Sequence, residues 1–137
     1  MPDYPAPHLL TFAQIGDAGI GYLSVSETAT PSLPFAVQRV FWTYGTPDNI
    51  LRGRHAHRAT EHVLLAVAGS IVVTTESAIG ELSVFRLESP HVGLYVPPNV
   101  WHTMQYAPGA VQLALASQPF MEEDYLRDYQ GFREVWK

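Results

Sequence analysis

Histidines are concentrated in one short stretch of the chain, between positions 52 and 62. His55 and His57 are separated by a single residue, and Glu61 follows four residues after His57. On a β-strand, residues i and i+2 point to the same face, so these two imidazoles are expected side by side, about 7 Å apart along the strand. A further histidine, His102, follows later in the chain. Imidazole and carboxylate groups in this arrangement suit proton transfer or the binding of a transition metal.

Short apolar segments separated by turn residues surround these histidines. The segments are rich in Val and aromatic side chains and alternate in part, as strands prefer. Many short strands at close spacing predict an all-β sandwich or barrel. The predicted strands are His8–Ile15, Gly21–Val25, Phe35–Tyr44, Leu51–His57, His62–Ala68, Ser70–Glu76, Leu82–Leu87, Val92–Val96, Trp101–Tyr106 and Val111–Ser117.

Only the end of the chain has helical periodicity. Met121, Tyr125, Tyr129, Phe132 and Trp136 recur every three or four residues. Acidic residues at positions 122–124 suit the first turn of a helix, because the helix dipole favours anions there. The glycine at position 131 predicts a break of this segment into two short helical pieces.

Size and composition indicate one compact domain over residues 1–137. Hydrophobic residues make up 47% of the chain and charged residues 15%, with a net charge of −5, which disfavours general binding to nucleic acid or anionic membranes. There is no cysteine, so disulfides, thiolate metal sites and cysteine nucleophiles are excluded. The N-terminal residues lack the pattern of a signal peptide. We therefore expect a cytoplasmic protein.

The spacing around the histidine pair resembles the first motif of the cupin family, which are small jelly-roll β-barrels. Glu61 follows the pair after three residues, and Gly69 follows Glu61 after seven. The proline-rich stretch before His102 is similar to the second cupin motif. The resemblance implies that His55, His57, Glu61 and His102 hold Fe, Mn, Ni or Zn in a metal-dependent enzyme, either a dioxygenase or a sugar isomerase.

Longer strings resemble a narrower group of cupins, the sugar 3,4-ketoisomerases. These strings are QRVFW at 38–42, RGRHAH at 52–57, VGLYVPPNVWH at 92–102, LAS at 115–117 and EDYLRDYQGF at 123–132. The family acts on thymidine diphosphate (dTDP) 4-keto-6-deoxyglucose in the biosynthesis of 3-amino-3,6-dideoxy sugars. The resemblance implies a cupin-type jelly-roll barrel with a short C-terminal helical segment, no cofactor or metal, and a homodimer. In small cupins of this kind an N-terminal strand is often exchanged between subunits.

The implied reaction moves a ketone from C4 to C3 of the sugar through an enediol. It requires a base near neutral pH and a second group that handles protons, and histidine supplies both. We expect His55 to act as the C3 base and His57 as its partner, although the exchanged roles explain the sequence equally well. His102, Tyr44 and Tyr95 are candidate donors to the intermediate.

Arginine suits the diphosphate, because its guanidinium group binds phosphate oxygens in a bidentate manner. Arg52 is the first candidate for this contact and Arg39 the second. Trp101 and Trp42 are the candidates for stacking on the thymine, and a core position is the alternative that strand tryptophans more often take.

Two departures from the ketoisomerase pattern bring polar groups near the expected pocket: His62 stands where Gln is usual, and Arg54 where an apolar residue is common. A third interpretation of the chain is a non-catalytic cupin that binds a small sugar. The intact histidine pair argues against it.

Overall fold

The computed structural model describes residues 3–27 and 33–135. Its strands are β1 (His8–Thr11), β2 (Ile15–Asp17), β3 (Gly21–Leu23), β4 (Arg39–Thr43), β5 (Leu51–His57), β6 (His62–Ala68), β7 (Ile71–Glu76), β8 (Leu82–Leu87), β9 (Val92–Val96), β10 (Trp101–Tyr106), β11 (Val111–Ala116) and β12 (Tyr125–Leu126). A 3₁₀ turn spans Glu122–Asp124, and helix α1 spans Tyr129–Val135. The predicted all-β fold with a short C-terminal helical segment is confirmed.

Two five-stranded antiparallel sheets face each other. The first has the order β1-β9-β6-β11-β4, and the second has the order β12-β5-β10-β7-β8. Side chains from both sheets pack together between them, as Leu64, Leu94 and Ala114 do with Val73 and Met104. This arrangement is the closed sandwich of a jelly-roll barrel. Strands β2 and β3 form a separate hairpin.

Alternation along each strand assigns its side chains to the interior or to an outer face. On β6, Leu64 belongs to the core between the sheets, whereas Val63 and Leu65 belong to a second cluster on the outer face of the first sheet. A third cluster on the outer face of the second sheet joins Ala56 to Phe132 of α1. Position 62, two residues before Leu64, therefore faces the interior.

A β-bulge interrupts this alternation on β5. Gly53 and Arg54 have φ angles of +82° and +57°, and the register with β10 shifts by one residue between His102 and Thr103. Glycine is required at position 53, because an added Cβ would lie 2.9 Å from the carbonyl oxygen of His102. The extra residue places Arg52 opposite the interior-facing Met104 while His55 lies opposite His102. Arg54 itself is exposed.

The C-terminal segment differs from the predicted pair of helices. Tyr125 and Leu126 form a strand that pairs with β5, and Gly131 lies inside α1 instead of interrupting the helix. Asp128 precedes the helix and accepts a hydrogen bond from the Gly131 backbone N–H, so the helix begins at an aspartate cap. The glycine in the first turn therefore causes no break. Trp136 lies outside the described residues.

The N-terminal region also differs from prediction. The expected strand over residues 8–15 ends at Thr11, because Ile15–Asp17 turns away and pairs with Gly21–Leu23 instead. Every residue of this hairpin is exposed. The segment 35–44 is regular only over Arg39–Thr43.

Candidate active site

Three histidines converge at one end of the barrel interior. His55 and His57 reach it from β5, and His102 reaches it from the neighbouring strand β10. One ring nitrogen from each lies within 4.8 Å of the others. His57 and His102 are buried, and His55 is partly buried. The predicted proximity of these three side chains is therefore present in the structure.

Each of the three rings has an acceptor beside its Nδ1 atom. Nδ1 lies 2.9 Å from the Gly53 carbonyl oxygen in His55 and 3.2 Å from the Val100 carbonyl oxygen in His102. A carbonyl oxygen can only accept, so both Nδ1 atoms carry the proton. The Nε2 atoms of the neutral rings are then free to act as bases or ligands.

Asp124 provides the acceptor beside Nδ1 of His57. Its Oδ2 atom lies 3.2 Å from His57 Nδ1. The carboxylate is held in place by the Ala59 backbone N–H, at 2.7 Å, and by the hydroxyl of Thr60. Asp124 comes from the 3₁₀ turn that precedes β12, 67 positions away from His57 in sequence. The C-terminal segment therefore supplies a residue that orients the histidine pair.

Burial keeps these imidazoles neutral. It is the main cause that lowers the pKa of His57 to about 3, and the charge of a protonated His55 contributes to the same shift. Burial also lowers the pKa of His55 and holds that of His102 well below its ordinary value. The contact of His57 with Asp124 is therefore a hydrogen bond donated by a neutral ring rather than an ion pair.

The Nε2 atoms of His55 and His57 lie 3.1 Å apart. Because each ring donates through Nδ1, a hydrogen bond between these two Nε2 atoms needs one additional proton. The pair can therefore take up a proton from a substrate carbon and pass it across a single hydrogen bond. The same convergence of lone pairs, with the Nδ1 atoms tied, also fits a divalent metal ion.

A fourth histidine, His62, joins the interior cluster. Its ring centroid lies 4.4 Å from that of His57, and its Nδ1 atom is buried without a partner among the described residues. Burial holds the pKa of His62 well below its ordinary value. His62 thus places a neutral imidazole beside the histidine pair.

Two residues that the sequence analysis did not select also line this end of the barrel. From sequence alone, Asp124 is predicted only as part of a helical first turn, and Tyr125 only as part of a helical repeat. The Tyr125 ring lies 5.1 Å from that of His55 and 4.4 Å from that of His57. Their place in the EDYLRDYQGF string was the one signal available, since it is part of the ketoisomerase resemblance.

Tyr95 and Glu61, in contrast, lie on the other face of the first sheet. Tyr95 is fully buried in the outer cluster, and its hydroxyl donates to Glu61 Oε1 at 2.7 Å. Burial and this hydrogen bond raise the Tyr95 pKa above its ordinary range. The expectation that Tyr95 donates to a reaction intermediate is therefore corrected. Glu61 likewise does not join the group of potential metal ligands formed by the three histidines.

The other aromatic candidates lie outside the histidine cluster, and their contacts with substrate stay predictions. Trp101 faces away from the interior and packs on Tyr129 and Phe132 of the C-terminal helix, with ring centroids 5.3 and 5.7 Å apart. Trp42 is exposed on the outer side of β4. Tyr44 lies beyond the end of that strand, with 70% of its surface exposed.

The two predicted arginines occupy different positions. Arg39 is half-buried at the start of β4, and one of its nitrogens donates to the Tyr125 hydroxyl at 3.4 Å. Arg52 is exposed, in register with Met104, further along the interior face. Of these two arginines, only Arg39 contacts a residue that packs against the histidine rings, namely Tyr125.

Comparisons with known proteins agree with this arrangement. The family model described as "FdtA: WxcM-like, C-terminal" matches residues 6–137. The chain belongs to this family. It is 34% identical over 129 residues to the TDP-4-oxo-6-deoxy-alpha-D-glucose-3,4-oxoisomerase of Aneurinibacillus thermoaerophilus, covering 92% of this chain and 89% of that protein.

Solved ketoisomerase structures share the fold. QdtA, a sugar 3,4-ketoisomerase from Thermoanaerobacterium thermosaccharolyticum solved with TDP, is 32% identical and superimposes with a TM-score of 0.88 over 94% of this chain and 93% of that one. A histidine-to-asparagine mutant of QdtA, solved with TDP-4-keto-6-deoxyglucose, is 30% identical, with a TM-score of 0.89 over 97% and 95% of the two chains. The predicted membership of the sugar 3,4-ketoisomerases and the cupin-type fold are confirmed.

Proposed function

We propose that the protein is an isomerase that moves the keto group of dTDP-4-keto-6-deoxyglucose from C4 to C3. The observation that carries this proposal is the convergence of His55, His57 and His102 inside the barrel, in a chain that belongs to the FdtA family. The relative from Aneurinibacillus bears the name of this activity, and the QdtA mutant binds this substrate. A nucleotide-linked sugar is therefore the substrate class that best fits the site.

The reaction proceeds by proton transfer between histidines and the sugar. His57 removes the C3 proton, because the Asp124 carboxylate fixes its Nε2 as the free base and stabilises the imidazolium that forms. His55 receives or returns protons through the 3.1 Å contact between the two rings. This assignment exchanges the roles expected from the sequence, and the position of Asp124 is the reason for the exchange.

Arg52 is the residue we assign to the diphosphate. Its side chain is exposed and follows the interior face of β5 away from the histidines, where a long ligand can extend. A guanidinium group binds phosphate oxygens in a bidentate manner. The sugar then lies at the histidine end while the nucleotide extends toward Arg52.

The product is a 3-keto sugar, which suits later transfer of an amino group to C3. We therefore assign the protein to the biosynthesis of a 3-amino-3,6-dideoxy sugar, carried out in the cytoplasm. No helix of residues 3–27 and 33–135 is long and apolar enough to cross a membrane.

Incubation with dTDP-4-keto-6-deoxyglucose in heavy water tests the activity. We expect deuterium to enter the sugar ring and a 3-keto product to accumulate, both detectable by NMR, which also reports the C4 configuration. A substrate that is recovered unchanged, with no deuterium at C3, would exclude the proposed reaction.

A homodimer is the assembly that the exposed surface supports. The β2–β3 hairpin exposes Ile15, Ile20, Tyr22 and Leu23, each by more than half of its surface. Next to it, a groove of about 520 Å³ on the outer face of the first sheet is lined by Phe12, Leu65, Val67, Leu113 and Leu115, among others. A second copy would cover both apolar surfaces.

Sedimentation equilibrium should give twice the chain mass, whereas Ile20→Asp should shift the protein toward the monomer.

A metal-dependent enzyme is a second candidate function, favoured by the three histidines whose ring nitrogens, one from each, lie within 4.8 Å of one another. His55, His57 and His102 would hold the ion, with Glu61 turned away toward Tyr95. Metal analysis of protein purified without a metal-affinity tag separates the two candidates. Stoichiometric Fe, Mn, Ni or Zn, together with loss of turnover in chelator, would favour this second function.

A further inference from the structure

Arg39 is a half-buried cation with unused hydrogen-bond donors. Its Nε and Nη2 atoms are buried and lack a partner among the described residues, and no carboxylate in residues 3–27 and 33–135 forms an ion pair with it. Only Nη1 donates, over 3.4 Å, to the Tyr125 hydroxyl. Buried donors are nearly always satisfied, and those on a charged group are especially costly to leave alone. These two nitrogens without partners therefore indicate that a ligand supplies the acceptor.

The guanidinium group is held in a fixed position. Its central carbon lies 5.3 Å from the ring centroid of Phe41 and 5.7 Å from that of Phe120. Tyr125, which receives its one hydrogen bond, packs against the rings of His55 and His57. These contacts fix the charge beside the histidines before any substrate arrives, which is what a preorganised catalytic group requires.

The charge of Arg39 reaches the proposed bases. Burial is the main cause of the low pKa values of His55, His57 and His62, and the positive charge of Arg39 lowers all three further. The histidines at this end of the interior are neutral. Arg127 also lowers the pKa of His55 and His57, and its guanidinium carbon lies 4.3 Å from the ring centroid of Tyr125, but it forms an ion pair with Glu122. Within the described residues, Arg39 is the cation near these histidines that has no carboxylate partner.

The proposed reaction needs such a cation. When the C3–H bond breaks, the proton goes to Nε2 of His57, the electron pair forms a C3=C4 double bond, and the carbonyl oxygen on C4 becomes an oxyanion. The O3 proton then passes to the C4 oxygen, and His57 returns its proton to C4, which leaves the carbonyl at C3 and a hydroxyl at C4. No oxidant or reductant is required. The His57 imidazolium balances the total charge, but the oxyanion on C4 still needs a donor aimed at the oxygen where the charge develops.

We propose that Arg39 is a catalytic residue, which donates from Nε and Nη2 to the C4 carbonyl oxygen and holds the enediolate. This role rests on the proposed function. It differs from the expectation that Arg39 binds the diphosphate, because the guanidinium lies at the histidine end rather than beside Arg52. The two roles predict opposite kinetic effects.

Arg39→Gln and Arg52→Ala form the matched pair of variants. For Arg39→Gln we expect kcat to fall by about 10²–10³-fold, with the Kd of TDP, measured by titration calorimetry, within about threefold of wild type. For Arg52→Ala we expect the reverse, a weaker TDP complex with kcat largely retained. A normal kcat in Arg39→Gln, or a loss confined to TDP affinity, would overturn the proposal.

Arg39→Ala provides a second, independent measurement. Guanidinium chloride at low millimolar concentration should raise its kcat, and equal sodium chloride should not, because only the guanidinium ion replaces the missing donors. Binding of TDP shows that each variant is folded. If Arg39→Ala is not folded, Arg39→Lys is measured in its place. A wild-type protein that binds TDP but does not isomerise the sugar rejects the proposed function, whereas an active wild type with an equally active Arg39→Gln rejects the role of Arg39 alone.

Discussion

The two ends of the barrel interior differ in whether their buried polar atoms have hydrogen-bond partners. At the end away from the histidines, the Tyr106 hydroxyl donates to Gln112 Oε1 at 3.1 Å, and both residues are buried. At the histidine end, Arg39 and His62 have buried nitrogens with no partner among the described residues. Paired groups hold the fold together, whereas unpaired groups are reserved for a ligand. The difference distinguishes structural from functional polar residues within one interior.

The largest effect expected from this comparison is on proton transfer. His57→Asn should lower kcat by about 10²–10⁴-fold and abolish deuterium exchange at C3, with TDP affinity retained. His55→Asn should slow formation of the 3-keto product but leave measurable exchange at C3. NMR in heavy water distinguishes the two. The opposite pattern would restore the assignment expected from the sequence, with His55 as the base.

Tyr106→Phe is the matched control from the other end of the interior. It removes a buried hydrogen bond, so we expect it to lower the free energy of unfolding by about 1–2 kcal/mol with kcat within a few fold of wild type. Urea denaturation and the isomerase assay measure both quantities. A large loss of kcat in Tyr106→Phe would break the distinction between the two ends.

Asp124→Asn should have the next largest effect. An amide can present its NH₂ group to His57 Nδ1, which favours the wrong tautomer and removes the charge that stabilises the imidazolium. We expect kcat to fall by about 10²-fold, with KM for the sugar nucleotide little changed and the acid limb of the pH–rate profile displaced.

Asp128→Asn is the control for that variant, because it makes the same substitution four residues later. Asn caps a helix about as well as Asp does, so its activity and stability should remain near wild type. Equal kcat values in the two variants would show that Asp124 does not position His57.

The smallest expected effect is on the pH dependence of stability. The pKa of His57 falls from 6.5 to about 3 on folding, so below pH 6.5 the unfolded chain takes up protons that the folded chain does not. Stability is therefore full above pH 6.5 and is lost as the pH falls toward 3, by at most about 1.4 kcal/mol per pH unit for each such histidine. His102→Asn should reduce this slope, measured by urea denaturation between pH 7.5 and 5, by about 1 kcal/mol per unit. Tyr106→Phe should leave the slope unchanged.

Much of the barrel could be predicted from local sequence. Alternation and turn residues located β5 to β11 closely, and the histidine pair marked the site. The same alternation also predicts which way the aromatic neighbours of interior residues point. If His102 faces the interior, its neighbour Trp101 must face outward, and Tyr95 must likewise point away from Leu94 and Val96.

The C-terminal contribution could not be read in the same way. The helical repeat of Met121, Tyr125 and Tyr129 is present, yet Tyr125 and Leu126 pair with β5 as a strand, because tertiary contacts override a weak local preference. No local rule connects Asp124 with His57 across 67 positions. Likewise, nothing in the spacing shows that a bulge at Gly53 and Arg54 brings Arg52 to the interior face.

The docking of residues 121–126 on β5 has a consequence for how activity is lost. A two-residue strand, the contacts of Asp124 and the packing of Tyr125 and Leu126 hold this segment beside the histidines. Such a short edge segment can detach in a local opening that leaves the other strands of both sheets paired. Gentle warming or dilute denaturant should therefore abolish catalysis reversibly before the barrel unfolds. The loss of turnover then reports the detachment of residues 121–126 rather than global unfolding.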